Sequence, residues 1–175
     1  FNVPRLFEEK DNSFAHALLK IAPEDFRVPG ILQFMLKIIS EGGTIAIASN
    51  GKIRNVNLSL KHAGLADLIG QTEVAENLAE QKPKPFMLNK ILKDNNASPH
   101  EAIFYGDNKA DAQAAQAAGI DFCGITAAIP IDPDTTITQM KAYGAICVAH
   151  DFNDILRGKV KILSHAAKRD QPRPE

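Results

Sequence analysis

Residues 102–120 read AIFYGDNKADAQAAQAAGI and contain the clearest structural pattern in the chain. The apolar run at 102–105 has the length of a buried strand, and Gly106 ends it. An alanine-rich run follows, and Gly119 is a typical helix end. The pattern therefore predicts a strand, a tight turn and a closely packed helix. Asp107 falls at the end of the strand, and Asp111 comes four residues later.

These two aspartates are candidate metal ligands. Parallel sheets bind ligands in the crevice beyond the carboxyl ends of their strands, where Asp107 is expected and which Asp111 would face from the first helical turn. Two carboxylates held there suit a hard divalent cation, above all Mg2+. The alternative is a purely structural role, with Asp107 as the helix N-cap and Asp111 as a first-turn partner of the helix dipole.

The remainder of the chain alternates predicted strands and helices. Further strands are predicted at 44–49, 71–74, 122–125 and 145–149. Further helices are predicted at 13–21, from Pro29 to the Gly42-Gly43 pair, and at 53–62, 86–93 and 137–142. This alternation predicts an α/β fold with a doubly wound parallel sheet and helices on both faces. Residues 1–12 are predicted to form a loop, and residues 157–175 a helical start followed by a disordered tail.

Composition limits the classes of function. A chain of 175 residues is long enough for one domain with a sizeable core. A net charge of −1 argues against nucleic-acid binding, and no apolar run predicts a membrane span or a signal peptide. Cys123 and Cys147 fall in predicted buried strands, and their spacing is no metal motif. We therefore expect reduced thiols in the core and a cytoplasmic location.

Two other stretches offer groups that bind phosphate. Ser49-Asn50-Gly51 follows the strand at 44–49 and supplies a hydroxyl, an amide and backbone N–H groups. Lys82 precedes Pro83 and supplies a cation. The alternatives are a capped strand-to-helix turn for the first and a solvated lysine for the second. No glycine-rich dinucleotide or P-loop motif is present, which argues against another class of nucleotide-binding module.

Taken in order, these stretches resemble motifs of the haloacid dehalogenase superfamily, specifically its phosphoglycolate-phosphatase-like hydrolases, over about residues 26–156. The stretch 44–50 looks like the second motif, residues 82–85 look like the third, and residues 98–120 look like the fourth, metal-binding motif. The resemblance implies catalytic roles for Ser49 and Lys82, and phosphate binding by Ser49, Asn50, Gly51 and Lys82. It also implies that Asp107 is a direct Mg2+ ligand and that Asp111 supports the metal or its waters.

The activity implied by the resemblance is that of a Mg2+-dependent phosphatase. Such an enzyme acts on a small phosphorylated substrate or a phosphoprotein, through an aspartyl-phosphate that water then hydrolyses. The first motif of the family, an Asp-x-Asp pair ending a central strand, is not found in residues 1–25. We expect that strand to precede residue 1. Residues 1–25 are then a cap remnant or linker, and residues 26–156 form the α/β core.

Two alternatives concern the unmatched first motif. In one, Asp132-Pro133-Asp134 is a first motif displaced by circular permutation, although Pro130 and Pro133 are poor residues for a central strand. We favour Asp134 or Thr135 as the N-cap of a helix instead. In the other, the chain is a degenerate family member that binds a phosphorylated ligand or a protein partner without turnover.

Overall fold

The computed structural model describes residues 13–127 and 133–160. Its strands are β1 (Ala46–Ser49), β2 (Gln71–Val74), β3 (Ile103–Gly106), β4 (Asp121–Ile125) and β5 (Ala145–Ala149). Each lies where the sequence predicts a strand. β1 begins two residues later than expected, whereas β2 and β5 have the predicted bounds. Apolar runs between turn residues therefore located β1, β3, β4 and β5, whereas β2 reads QTEV and is mostly polar.

Helices alternate with these strands, but the helices at 23–26 and 152–156 were not predicted, and the one at 133–142 begins four residues earlier than expected. They are α1 (13–18), α2 (Pro23–Phe26), α3 (Ile31–Ser40), α4 (Ile53–His62), α5 (Phe86–Asp94), α6 (Lys109–Ala118), α7 (Pro133–Ala142) and α8 (Phe152–Leu156). Short 3-10 turns lie at Ala66–Leu68 and Pro99–Glu101. α1 is shorter than the predicted 13–21. The helical start predicted from Arg157 is wrong for residues 157–160, which form a turn and a bend, and the predicted tail beyond them lies outside the described residues.

All strand pairs are parallel, which confirms the α/β fold class. The hydrogen-bonded ladder has two parts: β1 pairs with β2, and β3, β4 and β5 pair in that order. Among the described residues, β1 and β3 are therefore both edge strands. Each edge strand leaves a row of backbone N–H and C=O groups without strand partners.

Helices cover both faces of the larger sheet, as expected for a doubly wound arrangement. Successive residues of a strand point to opposite faces, and β3 shows the consequence. Phe104 packs with the cluster that contains α5 and α6, including Met87 and Ala115. Tyr105 packs on the other face with Phe34 of α3 and Phe152 of α8. The end of β3 is thus fixed by packing from both sides.

The predicted close approach of α6 to the sheet is observed. Its buried residues are Asp111, Ala112, Ala114, Ala115 and Ala118. Gly119 ends the helix in a left-handed conformation with φ of 70°, as the sequence predicted. Ala117, in contrast, is exposed rather than buried.

Cys123 and Cys147 form a disulfide bond, so the prediction of reduced thiols is wrong. Both cysteines lie in strands as predicted, but β4 and β5 pair in a register that sets them directly opposite each other. Their Cα atoms are 4.8 Å apart, within the range that a disulfide bridges. A sequence separation of 24 residues gives no sign of this pairing. The expectation of a cytoplasmic location was based partly on reduced thiols, and that part of the argument no longer holds.

Residues preceding α3 pack against the end of α4. Leu18 is buried, a ring nitrogen of His62 lies 2.9 Å from the carbonyl oxygen of Ile21, and the rings of Phe26 and His62 meet edge to face. The division of the chain at residue 25 stays a prediction. No helix within residues 13–127 and 133–160 combines the length and apolar character needed to cross a membrane.

Candidate active site

The predicted site residues come from three segments that meet at the carboxyl ends of β1 and β3. Ser49 ends β1, and Asn50 and Gly51 follow it. Asp107 follows β3, and Asp111 lies in the first turn of α6. Lys82 belongs to the loop between β2 and α5 and reaches both of the other segments. Residues far apart in sequence are thus neighbours in the fold.

Lys82 is at the centre of these contacts. Its Nζ lies 2.7 Å from Oδ1 of Asp111, donates to the carbonyl oxygen of Ala48 at 2.8 Å, and sits 5.4 Å from the centre of the Phe104 ring. The Lys82 side chain is only 12% exposed, so the interpretation as a solvated lysine is wrong. The peptide bond between Lys82 and Pro83 is cis. The ammonium therefore joins β1 to the turn after β3, at the place where the two parts of the sheet meet.

Asp111 is buried against the β3–α6 turn. Its Oδ2 accepts a hydrogen bond from the backbone N–H of Asp107 at 3.2 Å, while Oδ1 faces Lys82. Gly106 makes room for this carboxylate: a Cβ at Gly106 would lie 2.6 Å from Oδ2 and from Cβ of Asp111. The glycine that ends the strand is thus required by the close approach of Asp111, not by an unusual backbone conformation.

Asp107 is exposed at the end of β3. The N-cap of α6 is Asn108, whose Oδ1 accepts from the backbone N–H of Asp111 at 3.0 Å, so the alternative interpretation of Asp107 as the cap is wrong. The Nδ2 of Asn108 donates to Oδ1 of Asp107 at 2.9 Å. One asparagine therefore begins the helix and orients the aspartate that precedes it.

The segment after β1 is not a helix cap either. Lys52 occupies the N-cap position of α4 and makes no side-chain capping bond. Ser49 Oγ accepts from the N–H of Gly51 at 3.0 Å. The side chain of Asn50 reaches Lys82: its Oδ1 accepts from the Lys82 N–H at 2.9 Å, and its Nδ2 donates to the Lys82 carbonyl at 3.2 Å.

The described residues supply few candidate metal ligands. In the described parts of the chain, no group of three or more His, Cys, Asp or Glu side chains is placed to hold a metal ion. Asp107 offers an exposed carboxylate, a hard oxygen donor of the kind that Mg2+ takes together with substrate phosphate and water. Asp111 is buried and paired with Lys82, which suits the supporting role more than direct ligation.

One site residue and one contact within the site escaped the sequence interpretation. Asn108 was not considered, although an asparagine three residues before an acidic residue at a helix start is a capping signal. The pairing of Asn50 with Lys82 joins residues 32 positions apart and leaves no local pattern. The candidate for a displaced first motif falls partly on Asp132, which lies outside the described residues. Asp134 and Thr135 lie within α7, which already includes Pro133, so the interpretation of either as its N-cap is wrong.

Comparison with known proteins identifies the family of the chain. The sequence model of the haloacid dehalogenase-like hydrolases matches residues 6–125, which is more than half of the chain. The chain belongs to this family. The matched range contains all of the predicted site residues, from Ser49 to Asp111.

The curated relatives are bacterial phosphoglycolate phosphatases. The chain is 31% identical to the one from Aliivibrio fischeri over 98 residues, which is 56% of the chain and 43% of that relative. It is 26% identical to the one from Colwellia psychrerythraea over 142 residues, 81% of the chain and 61% of that relative. The chain thus spans about half the length of the curated relatives that it matches.

Solved structures confirm the fold of this haloacid dehalogenase-like chain. A β-phosphoglucomutase from Clostridium difficile superposes with a TM-score of 0.70 at 23% identity, over 89% of this chain and 65% of that one. At this identity the likeness establishes the fold alone. It agrees with the parallel α/β arrangement described above.

Proposed function

We propose that this chain supplies most of the active site of a Mg2+-dependent phosphatase that hydrolyses a small phosphomonoester. The observation that carries the proposal is the position of Lys82, whose ammonium is nearly buried between the ends of β1 and β3. A cation fixed there, beside Ser49 and Asp107, suits the charge on a phosphoryl group in transfer. Membership of the haloacid dehalogenase-like hydrolases and the names of the relatives support this reaction class.

The attacking carboxylate comes, in this proposal, from a strand that precedes residue 1. The open edges of β1 and β3 support the idea, since a further parallel strand between them would join the two parts of the sheet. Its carboxyl end would bring an aspartate to Ser49, Lys82 and Asp107. This aspartate attacks phosphorus in line and forms the aspartyl-phosphate, while the second aspartate of the expected Asp-x-Asp pair gives its proton to the leaving alcohol. The same carboxylate then takes a proton from water, which hydrolyses the aspartyl-phosphate and releases phosphate.

Three groups of the chain bind the phosphoryl oxygens. The hydroxyl of Ser49 accepts from the Gly51 N–H, and this leaves its own proton to donate to a phosphoryl oxygen. The backbone N–H of Asn50 would donate to the same oxygens, whereas the Gly51 N–H is engaged by Ser49 Oγ. The ammonium of Lys82 neutralises the charge that collects on these oxygens as the bond to the leaving group breaks.

Asp107 would bind the Mg2+ directly, and Asp111 would support the metal or its waters. The metal, when bound, supplies charge neutralisation on the phosphoryl oxygens. Asp111 directs the Lys82 ammonium into the site through their ion pair and fixes the backbone of Asp107 through a hydrogen bond. Asn108 orients the Asp107 carboxylate through its side-chain amide.

The proposed substrate class is taken from the names of the relatives. A small phosphorylated carboxylic acid such as phosphoglycolate is the first candidate, because the curated relatives carry that name. Hydrolysis of a phosphoprotein and a cytoplasmic location stay predictions.

The test uses the complete natural gene product and its variants. We expect hydrolysis of phosphoglycolate and of p-nitrophenyl phosphate that stops when EDTA removes Mg2+. Lys82→Ala and Asp107→Asn should each lose about 100- to 1,000-fold in kcat, because each removes one electrostatic contact to the transition state. Lys93→Ala, an exposed lysine on α5, is the matched control and should keep full activity. Near-normal turnover of Lys82→Ala or Asp107→Asn would overturn the assignment, and phosphate binding without turnover would favour a degenerate, non-catalytic member.

A further inference from the structure

We propose that the Asn50 side chain is a positioning element that holds the backbone of Lys82, rather than a direct contact to phosphate. This inference rests on the proposed function, because it concerns the residue that sets the place of the catalytic ammonium. It adds a role for Asn50 beyond that of its backbone N–H. The Asn50 side chain makes two hydrogen bonds to the backbone of Lys82, and the inference is drawn from this contact.

The contact pairs complementary groups. The amide oxygen of Asn50 accepts from the Lys82 N–H at 2.9 Å, and the amide nitrogen donates to the Lys82 carbonyl at 3.2 Å. A side-chain amide has one accepting and one donating group, and both face the same residue here. A two-point contact fixes orientation as well as distance, as paired contacts generally do.

Lys82 needs such a support because of where it lies. It belongs to a loop between β2 and α5, and a lysine side chain has a flexible four-carbon stem. Its ammonium is nevertheless held at three points, by Asp111, Ala48 and the Phe104 ring. Asn50 fixes the other end of the same residue, at its backbone. The stem is therefore constrained from both ends.

The arrangement also couples the two phosphate-binding segments. Asn50 is the next residue after Ser49 at the end of β1, so the backbone that carries Ser49 is attached to the backbone that carries Lys82. A shift of one segment carries the other with it. The two groups thus keep a fixed spacing for the phosphoryl oxygens, which is the requirement for efficient positioning.

The primary experiment measures acetylation of lysine side chains in the complete gene product, without substrate. Acetic anhydride is added at a limiting amount, and peptide mass spectrometry gives the modified fraction of Lys82 and of the exposed Lys93 in the same sample. We expect Lys82 to react much more slowly than Lys93 in the parent chain. In Asn50→Ala, the rate at Lys82 should rise by about tenfold, with Lys93 unchanged.

Two further variants serve as controls for this measurement. Asn57→Ala removes an exposed asparagine of α4 and should leave the rate at Lys82 as in the parent. Asn50→Asp keeps an acceptor for the Lys82 N–H but has no donor for the carbonyl, so it should give an intermediate rate. It is measured instead if Asn50→Ala does not fold, as judged by circular dichroism. An unchanged rate at Lys82 in a folded Asn50 variant would overturn the inference.

A double-mutant cycle, read from kcat and KM of the complete gene product, distinguishes a positioning role of Asn50 from direct contact with phosphate. Asn50→Ala should lower kcat by about 10- to 100-fold with little change in KM, because it displaces a group that acts in the transition state. In a Lys82→Ala background the same substitution should cost almost nothing, because the ammonium whose position Asn50 sets is gone. Losses that multiply, or a change confined to KM, would indicate direct phosphate contact and would contradict the inference.

The two proposals fail separately. Acetylation is read without turnover, so an increased rate at Lys82 supports the positioning role even if the complete gene product proves inactive. Conversely, an active enzyme in which Asn50→Ala leaves Lys82 protected retains the proposed function and loses this inference.

Discussion

The side-chain ammonium of Lys82 lies 2.7 Å from Oδ1 of Asp111, in an ion pair that is almost buried. The pair joins the loop after β2 to the first turn of α6. Asp111 also accepts a hydrogen bond from the backbone N–H of Asp107. The same carboxylate therefore holds the Lys82 ammonium and the backbone of the proposed metal ligand, Asp107. The geometry of both depends on a single carboxylate.

The first prediction concerns this ion pair. Asp111→Ala should lower the free energy of unfolding by about 3–5 kcal/mol, because it leaves the ammonium of Lys82 without its buried counter-charge. Urea denaturation followed by circular dichroism gives the value. The double variant Lys82→Ala/Asp111→Ala should lose about 1–3 kcal/mol less than the sum of the single variants. Additive losses would show that the two side chains do not interact in the folded protein.

The second prediction concerns the cap of α6. Asn108→Ala should lower the free energy of unfolding by about 1 kcal/mol, because Oδ1 of Asn108 satisfies the backbone N–H of Asp111. Asn108→Asp retains the accepting oxygen and should cost less. Asp151→Ala removes the corresponding cap of α8, whose Oδ1 accepts from the Asp154 N–H, and is the matched comparison in thermal unfolding. Equal losses for Ala and Asp at position 108 would contradict the capping role.

The third prediction concerns the disulfide bond. The chain denatured without reductant should bind no alkylating reagent at Cys123 and Cys147, and after reduction it should bind two. Reduction should lower the free energy of unfolding by about 2–4 kcal/mol, because the bond closes a loop between positions 24 residues apart. The variant Cys123→Ala/Cys147→Ala controls for the reductant itself and should not respond to it. Alkylation of both residues before reduction would contradict the bond.

The fourth prediction concerns Tyr105, which packs between α3 and α8. Burial raises the pKa of the Tyr105 phenol from 10.0 to about 12, because the phenolate is poorly solvated there. The folded state therefore keeps a proton that the unfolded chain loses. The resulting stability is complete below pH 10.0 and is lost as the pH rises from 10.0 through about 12.

The check is urea unfolding over this alkaline range, compared with Tyr105→Phe. The variant should show a weaker loss of stability with rising pH than the parent. Phenolate absorbance of the folded parent should also show a titration step that the variant lacks. Parallel pH dependences of the two proteins would contradict the burial effect.

Much of the fold was predictable because its signals are local. The apolar run at 145–149 has the bounds of β5, and Gly119 ends α6 as expected. Strand position depends on nearby turn residues and on burial, both of which a short window of sequence contains. The order of helices and strands then fixed the parallel arrangement.

The pairings within the site were less predictable because they join distant segments. Asp107 and Asp111 were selected together, but the ion pair of Asp111 with Lys82 and the contact of Asn50 with Lys82 arise only when the loop after β2 folds against the ends of β1 and β3. The disulfide was missed for the same reason, since it depends on the register between β4 and β5. The residue types therefore indicated the chemistry of the site. Their ion-pair, hydrogen-bond and disulfide partners could be identified only from the tertiary structure.

The most direct test of the central claim is the site of covalent phosphorylation. The complete gene product is mixed with substrate and Mg2+, quenched with acid, and treated with borohydride, which converts an aspartyl-phosphate into homoserine that peptide mass spectrometry can locate. We predict homoserine at the first aspartate of an Asp-x-Asp pair in a strand that precedes residue 1. Homoserine at Asp132 or Asp134, or turnover without any homoserine, would contradict the account.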